Sequence, residues 1–428
     1  MLFNQTLTYI SLFSGAGVGC YGLLEEGFEC VATNEILEKR LNIQRINRKC
    51  KLDESYISGD IKKPETKEKI LKQIEFYSKK FGNDRVDLVV ATPPCQGMSV
   101  ANHKKKNDEI KRNSLVIESI DLIKQIKPRF FILENVPSFY KTGCIDKNDN
   151  LLEIGSMIEQ NLSGDYMLYD EVINFKNFGA NSSRTRTLVI GVCKEFKDFT
   201  SALEFFPDFK QEKTLKEVIG SLKPLTWGEY DSADFYHSFR TYPKHMQEWI
   251  KDLKEGQSAF ENVQDAISDL AYLCSNEGAF ESDYLNPIQS SYQALMRKDS
   301  LKLYNHQATN HSQAALEKLK LINKEQGKEC LPKNLHGKQQ FKSTWGRLNW
   351  NKISPTIDTR FDTPSNGTNS HPKLHRSITP REAARIQSFS DNYIFYGNKT
   401  SVCKQIGNAV PPLLALALGK AILKSLRK

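Results

Sequence analysis

The stretch Leu7-Thr8-Tyr9-Ile10-Ser11-Leu12-Phe13-Ser14-Gly15-Ala16-Gly17-Val18-Gly19 decides the fold. Its first seven residues read as an apolar strand, and the strand runs into a glycine-rich turn that opens a helix. Glycines at a strand-to-helix turn let the backbone approach a ligand closely, although the same turn also serves plain strand-on-helix packing. The turn lacks a Lys-Ser or Lys-Thr ending, which excludes a nucleoside triphosphate P-loop. Asn34-Glu35 ends the second strand, where a carboxylate suits the hydroxyls of a ribose, and Gly59-Asp60 ends a third.

Outward from this unit, apolar strands at residues 7–13, 28–33, 86–91, 130–133 and 187–192 alternate with helical stretches at 36–48, 65–79 and 115–126. Such alternation predicts an α/β fold with a doubly wound, mostly parallel sheet, whose ligands bind at the C-terminal ends of the strands. The rhythm is lost from about residue 195 to 373. There, aromatic-rich sequence (Trp227, Tyr230, Phe235, Tyr236) precedes an acidic stretch at 247–273 that reads as helical. Helical character returns at 380–388 and 412–426. The expected division is a catalytic and cofactor-binding domain over 1–194, completed by 404–428, and a second, smaller domain with its hinge over 195–403. No internal repeat or low-complexity tract interrupts this pattern.

Composition narrows the class. With 428 residues, 39% of them hydrophobic and 26% charged, the chain has the profile of a folded globular protein rather than a disordered or fibrous one. The net charge of +9 is unevenly spread: residues 1–200 carry 29 basic and 27 acidic side chains, 201–300 carry 10 and 17, and 301–428 carry 21 and 7. The last third is therefore where a polyanion surface is expected, with the acidic 201–300 stretch facing away from it. Nine cysteines are spread singly, without the C-x-x-C pairs of a zinc or redox site, so reduced thiols in the cytoplasm and no metal are expected. No secretory signal precedes Leu7 and no apolar run comes near the roughly 18 residues of a membrane span, so no membrane partner is expected.

Three further segments carry chemistry. The strand at 86–91 ends in Thr92-Pro93-Pro94-Cys95-Gln96-Gly97, where two prolines fix the backbone ahead of a single thiol. A buried cysteine that merely packs is the ordinary alternative, but Pro-Pro-Cys-Gln is not core composition. The next strand ends in Glu134-Asn135-Val136-Pro137, so adjacent strand ends present a thiol and a carboxylate. Before the last strand, Phe178-Gly179-Ala180-Asn181-Ser182-Ser183-Arg184-Thr185-Arg186 sets two arginines on one face of an extended segment. Near the end, Gln405-Ile406-Gly407-Asn408-Ala409-Val410-Pro411-Pro412 opens a helix.

Taken in order, these segments resemble the DNA (cytosine-5) methyltransferase family of bacterial restriction-modification type. Matches run through Phe13-Ser14-Gly15-Ala16-Gly17, Asn34-Glu35, Pro93-Pro94-Cys95-Gln96, Glu134-Asn135-Val136, Arg184-Thr185-Arg186, the run Thr379-Pro380-Arg381-Glu382-Ala383-Ala384-Arg385-Ile386-Gln387, and Gln405 to Val410. The resemblance covers a little over half the chain, and the intervening segment holds the place of the family's variable target-recognition domain.

The resemblance implies methyl transfer from S-adenosylmethionine to C5 of a cytosine in a specific duplex DNA sequence. In that chemistry a thiolate adds to C6, C5 of the resulting enamine attacks the methyl group, and loss of the C5 proton expels the thiol. Cys95 matches the nucleophile, Glu134 the acid that engages cytosine N3 and N4, and Arg186 with Arg184 the basic element that holds the base. For the cofactor, Phe13 matches the residue stacked on adenine, Glu35 the ribose ligand and Asp60 the acceptor of the adenine amino group. Ser14, Gly15, Gly17, Pro94 and Leu115 match further contacts, and Asn408 matches an asparagine near the methionine end. The target base must be flipped out of the duplex, and the basic residues His103, Lys104, Lys105, Lys106, Lys111 and Arg112 after Cys95 suit a loop closing over DNA, or a plain solvated run. The implied setting is a monomer that protects host DNA from a separately encoded cognate restriction endonuclease. Two alternatives remain at this stage: a tRNA methyltransferase of the same superfamily, whose Cys-Phe-Thr motif is absent here, and a non-catalytic DNA-binding protein. Three departures from the family pattern, at Ser11, Val18 and Asn181-Ser182, leave the thiol, the acid and the arginines in place.

Overall fold

The computed structural model describes residues 6–82, 85–94, 113–199, 205–206, 213–221, 281–282, 290–298, 300, 302–309, 311–322, 327–336 and 343–426. The chain divides into two compact units, Met1–Glu212 with Ala409–Lys428, and Lys213–Asn408. Cys95, the basic residues 103–112, the aromatic residues from Trp227 to Tyr236 and the acidic stretch at 247–273 lie outside the described residues.

In the first unit, β1 (Thr8–Leu12), β2 (Glu29–Glu35), β3 (Tyr56–Ser58), β4 (Leu88–Ala91) and β5 (Phe130–Asn135) form parallel pairs in the spatial order β3-β2-β1-β4-β5. After an antiparallel hairpin of β6 (Gly143–Ile145) and β7 (Leu151–Glu153), β8 (Tyr166–Asn174) and β9 (Thr185–Cys193) extend the sheet beyond β5. Strand β9 is antiparallel to both β5 and β8. The result is a seven-stranded α/β sheet, parallel over five strands and mixed at one edge. The chain winds outward from β1 to β3 and then returns to the other side of β1 with β4. That reversal opens a crevice at the C-terminal ends of β1 and β4.

Alternate strand residues fill two cores, as the two-residue period of a strand requires. Ile10, Val89, Phe131 and Val189 lie on one face, with α3 (Pro64–Phe81), α4 (Leu115–Ile126) and α5 (Ile154–Leu162) supplying its other side. Tyr9, Leu88, Phe130 and Ile190 lie on the opposite face, closed by α1 (Tyr21–Glu25) and the C-terminal helix Pro412–Leu426. A Cβ on Gly22 would sit 2.0 Å from the Pro412 carbonyl oxygen, so only glycine lets these two helices cross so closely.

The second unit, within its described residues, is built differently. Short helices Leu215–Ile219, Ser291–Arg297, Gln313–Leu321, Pro380–Ile386 and Lys399–Gly407 are joined by long irregular segments. Helix Pro380–Ile386 starts with a reciprocal cap between Thr379 and Glu382, with Pro380 in its first turn. Arg347, Arg376, Arg381 and Arg385 are all buried. The basic excess of the last third is thus not all surface: these four guanidinium groups are spent inside the unit, which corrects the expectation that the whole excess follows a polyanion. Among the described residues Lys399–Leu426 passes for a membrane span by length and composition, but it is two helices, Lys399–Gly407 and Pro412–Leu426, and most of its apolar window is buried.

Candidate active site

The turn after β1 is shaped by three left-handed residues, Phe13 (φ 54°), Gly15 (φ 55°) and Gly17 (φ 85°). A phenylalanine in that region is uncommon and marks a locally constrained backbone. The constraint is tied down by Ser14, whose N–H and hydroxyl both donate to the Asn34 carbonyl at 3.0 Å, and by Gly17 N–H, which donates to Ser14 O at 2.8 Å. Among the described residues, apart from its chain neighbours, no atom lies within 4 Å of the place a Gly15 Cβ would take, so they leave the outer side of the turn open. Gly15 N–H donates to Glu35 Oε2 at 2.9 Å, while Glu35 Oε1 accepts from Leu37 N–H at 3.2 Å and Arg40 at 3.1 Å. A carboxylate accepts about four such bonds, and the described residues supply Glu35 with three.

The neighbouring strand end joins the same network. Asn34 Nδ2 donates to the carbonyls of Ile57 and Gly59, and Gly59 N–H donates to Glu35 O at 3.2 Å. Asp60, half-buried, follows directly and accepts Lys62 N–H at 3.0 Å. On the other side of β1, Thr92 donates through its N–H to Leu12 O and through its hydroxyl to Phe13 O at 3.1 Å. Asn135 Nδ2 donates to Pro93 O at 2.8 Å, tying the end of β5 to the Pro93-Pro94 step. Pro94 is the last described residue before Cys95.

Glu134 is 9% exposed near the end of β5. Its register partner on β9 is Leu188, so Arg186, two residues along, shares the same face as a diagonal neighbour. Arg186 Nε lies 3.1 Å from Glu134 Oε1. Burial pushes the Glu134 carboxyl above the usual carboxylate range, and the charges of Arg186 and then Arg184 pull against that rise. Arg184 is itself buried. The two-residue spacing read from sequence therefore does put both arginines to work on one carboxyl.

Leu115 begins α4 and packs, like Phe13, half-buried against the same core. Asn408 caps helix Lys399–Gly407 and is exposed, within the second unit. Hydrogen bonds thus link Ser14, Gly15, Gly17, Glu35 and the turn bearing Asp60 into one network, and Thr92 ties the adjoining Phe13 carbonyl to the end of β4. The motifs contain Asn34, Thr92 and Asn135 without a role of their own, and Thr33, Gln44 and Lys49, beneath the turn, lie outside every motif. Gln44, on α2 (Glu38–Ile46), and Lys49, just after it, are polar residues at buried positions, which only the fold reveals.

A glycine turn, a strand-end carboxylate and a buried acid paired with an arginine thus gather at the C-terminal edge of an α/β sheet, where enzymes of this fold bind their ligands. Residues 7–424 match the C-5 cytosine-specific DNA methylase model, and the chain belongs to that family. It is 29% identical over 357 residues to the type II methyltransferase M.DdeI of Desulfomicrobium norvegicum, covering 79% of this chain and 72% of that one. It is 25% identical over 425 residues to the type II methyltransferase M1.HphI of Haemophilus parahaemolyticus, covering 99% and 88%. Its fold superposes on a crystal structure described as a DNA modification methyltransferase encoded within an E. coli prophage, with a TM-score of 0.62 at 23% identity over 99% of this chain and 100% of that one. The protein methylates C5 of cytosine in DNA, and its family uses S-adenosylmethionine.

Proposed function

We propose that methylation proceeds through a covalent adduct between the Cys95 sulfur and C6 of a cytosine swung out of the duplex. Glu134 hands a proton to cytosine N3 as sulfur adds, and Arg186 and Arg184 stabilise the carboxylate left behind. The observation that carries this reading is the buried Glu134 carboxyl, raised by burial yet paired with Arg186 at 3.1 Å, on the strand beside the one that leads to Pro94 and Cys95. A raised carboxyl holds its proton to higher pH, so the rate should fall on the alkaline side as Glu134 ionises in the free enzyme.

The residues present suit S-adenosylmethionine, which when bound supplies an electrophilic methyl group. The open side of Gly15 leaves room for close approach, the half-buried Phe13 ring offers a stacking face for adenine, and Glu35 would accept from a ribose hydroxyl. Asp60 would accept the adenine amino group, with Ser14, Gly17, Pro94 and Leu115 around it and Asn408 toward the methionine end. Residues 195–403 serve target recognition and 404–428 complete the catalytic domain. The protein acts as a monomer in the cytoplasm and shields host DNA from a cognate restriction endonuclease.

The test is Cys95→Ser assayed with labelled S-adenosylmethionine on mixed-sequence duplex DNA. Loss of transfer with cofactor binding nearly intact is expected, and full activity would overturn the assignment. Bisulfite sequencing of DNA from expressing cells would reveal the methylated context. Affinity for that DNA should drop steeply with salt as phosphate contacts release counterions.

A further inference from the structure

Beneath the Ser14 to Gly17 turn runs a chain of buried hydrogen bonds. Lys49, 4% exposed, donates from Nζ to Thr33 Oγ1 at 3.1 Å. Thr33 donates to Gln44 Oε1 at 2.8 Å, and Gln44 Nε2 donates to Ser14 Oγ at 2.8 Å and to the Gly15 carbonyl at 2.7 Å. Ser14 Oγ donates onward to Asn34 O. Thr33 and Gln44 are fully buried.

Direction matters in this chain. A lysine ammonium only donates, so Thr33 must accept from it and turn its own proton to Gln44. That commits the Gln44 oxygen and leaves its NH2 to face Ser14 and Gly15. The flipped amide would set its oxygen against the Gly15 carbonyl, two acceptors with no proton between them. Gln44 also supports the turn from below, because a Cβ on Gly17 would lie 2.6 Å from Gln44 Cγ and 3.2 Å from Lys49 Cδ.

We infer that Gln44, oriented by Lys49 through Thr33, is a positioning residue of the cofactor site. By bonding both the Ser14 hydroxyl and the Gly15 carbonyl it holds the residues on either side of the peptide whose N–H donates to Glu35, which fixes the carboxylate that meets the ribose. None of the three residues belongs to the motifs assigned to the cofactor. The inference rests on the Ser14 to Gly17 turn being the cofactor turn.

The experiment is calorimetric binding of S-adenosylhomocysteine to the full chain, with a thermal melt of each variant without ligand. Gln44→Glu keeps the size but replaces the two donors of the amide with at most one O–H, and none when ionised, so its affinity should fall about tenfold or more. Thr33→Val keeps the volume and cuts the chain, while Thr33→Ser loses a methyl group and keeps the hydroxyl. The relay requires Thr33→Ser to bind more tightly than Thr33→Val; a packing role requires the reverse order and would overturn the inference, as would unchanged affinity in both Gln44→Glu and Thr33→Val. If Gln44→Glu does not fold, the Thr33 pair decides. Phe13→Ala and Glu35→Ala separate the two levels. If they also bind normally, the cofactor reading has failed; if they lose binding while the relay variants keep it, only the relay has.

Discussion

The two units bury different things. In the first, the largest interior surfaces are the apolar faces of a sheet whose backbone groups pair along the strands, as between β1 and β4 or β5 and β9. In the second, Arg376, Arg381 and Arg385 are among the largest fully buried side chains in the molecule. Arg381 donates to the carbonyls of Tyr304, Ser390 and Tyr393, and Arg347 to those of Leu319, Ile322, His371 and Leu374. Irregular backbone has no neighbouring strand to take its carbonyls, and buried carbonyls must be satisfied somewhere. A guanidinium with five donors does for a loop what a ladder does for a sheet. The second unit is therefore specified by polar bonds of fixed geometry, the first by apolar pattern.

The sharpest way to break this comparison is Arg376→Met. It strands Glu382, whose carboxyl burial would raise but which two 2.8 Å bonds from Arg376 hold far below its ordinary range. Removing one partner of such a buried pair should cost about 3–5 kcal/mol. All four tryptophans of the chain lie within Lys213–Asn408, so their fluorescence in a denaturant titration reads this unit. An apolar counterpart is Leu88→Ala in the fully buried centre of the sheet, expected to cost roughly 2–5 kcal/mol by circular dichroism.

Acid should separate the units next. Burial first, then neighbouring cations, lowers His311 to about 4, and burial lowers His371 to about 3. Their unfolded forms titrate near 6.5, so unfolding takes up protons below that pH. Stability present above about pH 6.5 is therefore lost as pH falls toward about 4 and then 3, by on the order of a few kcal/mol per histidine. Tryptophan fluorescence should report an acid transition that His311→Gln weakens. The smallest effect belongs to Ile190→Val, at about 0.5–1.5 kcal/mol. Should Arg376→Met cost less than Ile190→Val, the second unit would not depend on its buried ion pairs.

Legibility in the sequence followed the same divide. Strands β1, β4 and β5 are near-continuous apolar runs, as strands covered on both faces must be, and they stand out. Strand β8 did not, because it lies at the sheet edge with polar residues such as Asp170 and Glu171 exposed. At the site, Glu134 and Arg186 could be picked from strand position and two-residue spacing. Thr33, Gln44 and Lys49 could not, because their meaning lies in contacts among residues from β1, β2 and α2. In the second unit, charge counting read Arg347, Arg376, Arg381 and Arg385 as surface, since a count carries no burial.

Reading residues alone, one recovers the order of strands and helices, the glycine turn, and the set of acid, arginines and thiol that marks the family. Those follow from local rules: strand period, glycine's freedom at positive φ, and side-chain chemistry at strand ends. The folded arrangement adds that Glu134 meets Arg186 across β5 and β9, that a lysine-led hydrogen-bond chain supports the turn, and that four arginines of the last third face inward. Those depend on register and burial, which bring together residues distant in the chain and which no local pattern encodes.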